Sequence, residues 1–77
     1  MRHVLAALPR RGLVVTLVQA QQRYVDRLLH CHPGHLRRVR RAARRTLRRW
    51  ASVRGYDPAT VVRDAHDMVV LITRADD

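Results

Sequence analysis

The feature that most constrains this chain is a strict apolar stripe inside an arginine run. In LRRVRRAARRTLRRW, Leu36, Val39, Ala43, Leu47 and Trp50 recur at spacings of 3, 4, 4 and 3. With 3.6 residues per turn they fall within about 80° of one another on a helical wheel. No β period produces that spacing, because strands alternate faces every residue. The spacing predicts a helix over 35–53 that buries one face. Its other face is charged: Arg37, Arg38, Arg40, Arg41, Arg44, Arg45, Arg48 and Arg49 are eight arginines in thirteen positions. Arg37, Arg41, Arg44 and Arg48 form a ridge opposite the stripe, and the other four flank it. Gly55 stands just past the predicted end, where a helix commonly stops.

Two further segments complete the reading. Asp57-Pro58 is a helix start, with aspartate to cap free N–H groups and proline for the first turn. Val61, Ala65, Met68 and Ile72 then make the apolar stripe of a helix over 58–74, with Val62 and Val69 alongside. Asp64 and Asp67 lie in its first half, which suits the helix dipole. Val70 falls on the opposite face as a candidate second contact surface. Segment 13–30 is ambiguous. Val14, Leu17, Val18, Val25 and Leu28 fit a helical face, but the run LVVTLV is β-branched enough for a strand. The expected fold is mainly α, a small three-helix domain over 13–30, 35–53 and 58–74. The alternative is α+β, with an N-terminal strand or hairpin in 13–30 before two helices. The core is expected to draw on Leu36, Val39, Leu47, Trp50, Val61, Ala65, Met68 and Ile72. The whole chain, 1–77, reads as one small domain, with residues 1–11 as a flexible leader.

At 77 residues the chain has room for a modest core only. Its one cysteine, Cys31, allows no intrachain disulfide and fits a reducing compartment. A staple must come from elsewhere, and the simplest is a homodimer. No run approaches the roughly 20 apolar residues of a transmembrane segment. The start MRHVLAALPRR has too short an apolar core for a signal peptide, so the expected localisation is cytoplasmic.

Charge narrows the partner classes. The net charge is +10, and every basic residue other than histidine is arginine. Codon bias in a GC-rich genome accounts for arginine in place of lysine as well as chemistry does, so residue identity says less than position. Residues 1–54 hold fourteen arginines against Asp26 alone, whereas residues 55–77 hold two arginines and five aspartates. A basic body with an acidic end suits an anionic partner or head-to-tail self-pairing. Arginines four apart, such as Arg37/Arg41 and Arg44/Arg48, each cost their helix a few tenths of a kcal/mol. A face that works against its own helix points to DNA or RNA phosphates, with an acidic protein partner as the alternative and a merely solvated face as the plain one. A membrane surface fits less well, because Ala43 keeps the apolar stripe thin. Base-specific readout is not expected, nor is an aromatic platform for single strands, since Trp50 lies on the inner stripe and only Tyr24 and Tyr56 remain.

His30, Cys31, His32 and His35 put four zinc-capable side chains in six residues, but no second ligand pair follows. They are candidates for a metal site, while the expected set of cofactors is empty. The chain has no glycine-rich phosphate loop and no paired carboxylates with an obvious cleft, which argues against an enzyme.

One family resemblance runs through the same stretch. RLLHCHPGHLRRVRRAARRTLRRW, followed by Asp64-Ala65 and the run MVVLI, resembles the opening of the small kinase-like ATPases that act as anti-sigma regulators in actinobacteria. The match runs without gaps through Leu28, Pro33, Arg37, Arg38, Arg41, Arg44, Thr46, Leu47 and Trp50, and it covers about half the chain, residues 27–67. The resemblance implies a strand over 24–30 and a truncated or repurposed relative that works by binding a partner. It does not carry ATP binding over. Where that family has a glutamate and, four residues on, a magnesium-binding asparagine, this chain has Leu71 and Ala75, or Ile72 and Asp76 one register along. The function expected from the residues is a non-enzymatic basic regulator that binds nucleic acid through phosphates. The runner-up is a protein–protein interaction module of the anti-sigma kind, without ATP binding.

Overall fold

The computed structural model describes residues 15–75, so the proposed leader and Val14 lie outside it. Three helices follow in order: α1 (Leu17–His30), α2 (Leu36–Val53) and α3 (Pro58–Ala75), with a 3₁₀ turn at Pro33–His35 before α2. Each helix packs on both others. Gln21 of α1 meets Val61 of α3, and Tyr24 meets His66, so α1 and α3 run parallel while α2 runs between them in the opposite sense. The described residues form an up-down-up three-helix bundle.

The strand alternative for 13–30, and the strand that the family resemblance implies over 24–30, are not supported: that stretch is helical from Leu17 to His30. A local signal explains why the β-branched run yields. Thr16 and Gln19 form a capping box, the Gln19 N–H donating to Thr16 Oγ1 at 3.1 Å and the Thr16 N–H to Gln19 Oε1 at 3.0 Å. Two free donors at the helix start are thereby satisfied, which tips residues 17–19 into the helix.

The two turns are equally specific. Past α2, the Tyr56 N–H donates to Ala51 O at 2.9 Å and the Gly55 N–H to Ser52 O at 3.1 Å. Those bonds close only if residue 55 enters the left-handed region, and Gly55 has φ +82°. Asp57 then opens α3, its carboxylate accepting from the Thr60 N–H and hydroxyl. These bonds hold the Asp57 carboxyl below its ordinary range.

The core is narrower than the stripes suggest. Leu47, Val61, Ala65, Val25 and Leu28 are buried as expected, and so are Ala20, Tyr24, Ala43, Ala51 and Val62. Val39, Trp50 and Met68 pack against that core half-buried. Two expected members are corrected, Leu36 at 42% exposed and Ile72 at 39%, and Val18, read onto the apolar face of segment 13–30, is 70% exposed. Ala51 and Ala65, both at 0% exposure, let the helix backbones approach closely in the middle of the bundle. Leu36 opens α2 and Ile72 lies near the end of α3, where the bundle covers them from fewer sides.

One long-range polar pair sits inside. Tyr24 Oη and His66 Nδ1 lie 3.2 Å apart, with the donor set by the imidazole tautomer. Burial pushes the Tyr24 hydroxyl above its ordinary range, and the nearby Arg44 and Arg40 partly offset that. Buried Gln21 donates to Val61 O at 3.2 Å, which accounts for a polar side chain among apolar ones.

Candidate nucleic-acid interface

Helix α2 carries the candidate site. Its apolar stripe faces the core through Ala43 and Leu47, so its arginines are turned outward by the same packing that holds the helix. Arg37, Arg38, Arg41, Arg44, Arg45, Arg48 and Arg49 are exposed. Arg40 is half-buried, its charge close enough to act on Tyr24. The four ridge arginines are therefore open, as are the flanking Arg38, Arg45 and Arg49, with Arg40 at the inner edge. Arg41, Arg44, Arg45 and Arg48 surround an open cleft of about 330 Å³. A second cleft, of about 400 Å³, lies at the start of α2 between Pro33, Gly34, Leu36, Arg37 and Arg40.

None of these arginines meets a carboxylate within ion-pair distance among the described residues, where the ion pair found is Arg63–Asp64 at 3.9 Å. The helix start adds to the imbalance. No side chain caps α2, no acidic residue lies in its first turn, and Arg37 and Arg38 sit where the helix dipole is already positive. The outer face and the N-terminus of α2 thus both oppose the helix, and the buried stripe holds it in place.

The histidine–cysteine cluster is used locally. His30 Nδ1 lies 2.9 Å from Asp26 O, the Cys31 thiol donates to Leu28 O at 3.4 Å, and His32 Nδ1 accepts from the Gly34 N–H at 2.9 Å. The His32 and His35 rings are 5.3 Å apart. Among the described residues no three histidine, cysteine or acidic side chains converge as metal ligands. The four candidates end α1 and shape the turn into α2.

The aromatic residues depart from expectation. Tyr24 is buried, but Tyr56 stacks on Trp50, with ring centroids 5.7 Å apart and planes 14° from parallel. The Arg54 guanidinium lies 4.8 Å from the centre of the Trp50 ring. Tyr56 is 43% exposed, at the end of the helix that bears the arginines. The signal in the sequence was the Gly55 stop, since a helix that ends on a left-handed glycine brings the next residue back against its last turn.

No helix among the described residues is long and apolar enough to cross a membrane. The chain matches no family model, no curated protein and no solved structure.

Proposed function

We propose that this protein is a non-enzymatic, cytoplasmic regulator that binds DNA or RNA through phosphate contacts made by α2. The observation that carries this reading is the outer face of α2, where seven exposed arginines have no carboxylate partner among the described residues. Guanidinium groups bond phosphate oxygens in pairs, and a phosphate backbone offers a repeating anion to a repeating ridge. Such contacts position a nucleic acid without reading its bases. An electrophoretic shift against DNA and RNA across a salt series tests it. If the ridge neutralises about six phosphates, log affinity falls with log salt at a slope near −5. A flat salt dependence overturns the reading.

A second reading has its own support. Leu71 is 65% exposed on α3, close in sequence to the part-exposed Ile72. With Leu36 they are exposed apolar side chains that a homodimer would cover. We expect a dimer mass by light scattering at moderate salt, reduced to one chain by Leu71→Asp. A single-chain mass for the wild type removes the dimer. A dimer that shifts neither DNA nor RNA favours the interaction module.

A further inference from the structure

We infer that Tyr56, stacked on Trp50 at the end of the arginine helix, is a platform for an unpaired nucleobase, so that the protein favours single-stranded over duplex nucleic acid. The inference rests on the phosphate-binding reading and names the form of nucleic acid that site would take.

Three observations meet at this point. The first is the free ring. Trp50 lies in an offset stack on Tyr56, with centroids 5.7 Å apart, and Tyr56 as a residue is 43% exposed. Helix ends of this type often place an apolar residue here against the last turn, which accounts for the Trp50 contact. An aliphatic side chain serves that contact equally well. What an aromatic ring adds is a flat outer face that any base can stack on.

The second is rigidity. The Tyr56 N–H is tied to Ala51 O at 2.9 Å, and the chain before it is turned by Gly55 at φ +82°. The ring is held ready before a base arrives, so stacking costs little ordering of the protein.

The third is nearby charge. Arg54 lies against the Trp50 ring on which Tyr56 stacks, and Arg49 precedes Trp50 in the chain. The phosphate next to a base on Tyr56 would find these guanidinium groups at the end of α2. A positive track with an aromatic step is the arrangement that binds single strands without sequence preference. A duplex keeps its bases stacked inside and meets the arginine ridge alone.

The test uses the whole chain, a fluorescein-labelled thymidine 20-mer and a 20-base-pair duplex, each titrated across a salt series. We expect both to bind with steep salt dependence, and the single strand to bind more tightly. Tyr56→Ala should weaken the single strand about 5- to 150-fold, as loss of one stacked base does, and leave the duplex within about twofold. Tyr56→Phe should restore single-strand binding, whereas Tyr56→Leu, which keeps the apolar contact on Trp50, should not. Equal loss on both probes, or rescue by leucine, overturns the platform and leaves the phosphate reading standing. Absence of salt-dependent binding to either probe overturns both.

Discussion

Reversing two charges, Arg41→Glu with Arg44→Glu, should abolish most nucleic-acid binding while making the free protein more stable. Both residues are exposed and line the same cleft on α2. Hydrogen bonds to charged groups contribute roughly 1.5–3 kcal/mol each, so loss of two predicts at least about a 100-fold fall in affinity at fixed salt. The salt slope should become shallower by about 2, one unit for each lost phosphate contact. Stability should move the other way. Arg41 stands four residues from Arg37 and Arg45, and Arg44 four from Arg40 and Arg48. Glutamates at 41 and 44 turn those four repulsive pairs into attractive ones, each stabilising by a few tenths of a kcal/mol. The melting temperature by circular dichroism should therefore rise while the electrophoretic shift is lost. A variant that gains stability and binds as before would show that the arginine face is only solvated.

The second large effect is on folding. Leu47→Ala should cost about 2–5 kcal/mol, the transfer term plus the cavity left behind. Leu47 is 3% exposed, in the core cluster with Ala43 and Ala51. A domain of this size has roughly 0.05–0.15 kcal/mol of stability per residue, so about 60 residues hold about 3–9 kcal/mol in all. The substitution removes much of that, and the melting temperature should fall by at least about 10 °C, or the cooperative transition should vanish. Leu36→Ala is the matched control. Leu36 stands on the same wheel stripe, yet it is 42% exposed, so its truncation should cost under about 1 kcal/mol. Equal losses at the two positions would mean that the end of the bundle is closed over Leu36, as a second copy would close it.

The contrast between Leu36 and Leu47 shows how far sequence reasoning reaches. Helix α2 was legible because its apolar and charged residues differ so sharply and repeat at 3 and 4. Helix α3 was legible from Asp57-Pro58, whose capping role the Thr60 bonds bear out. Helix α1 was harder, because Val14, Val15 and Val18 raise strand propensity over one turn. The Thr16–Gln19 pair that resolves it is itself a sequence pattern. The depth of each stripe residue was not legible. A helical wheel has no ends, and a bundle does, so Ile72 and Leu36 look like Leu47 until their position along the axis is known. Tyr24 and His66 stand 42 residues apart, a separation at which no local pattern speaks.

The candidate site divides the same way. The row of arginines on one side of α2 follows from residue order alone, because any helix buried through Ala43 and Leu47 must turn those side chains to water. Placing Tyr56 on Trp50 was a local decision that a helical wheel does not show. It required Gly55 to adopt a left-handed turn and the next N–H to reach back to Ala51, and so an aromatic pair forms where the wheel shows only an inner stripe and a loop. The sequence by itself determined two helices, a leaning towards a third, and a positive face, since periodicity and charge are local properties of a chain. Tertiary structure alone decided which apolar residues of each stripe are buried, since that depends on how close one helix comes to another and where along the bundle each residue lies.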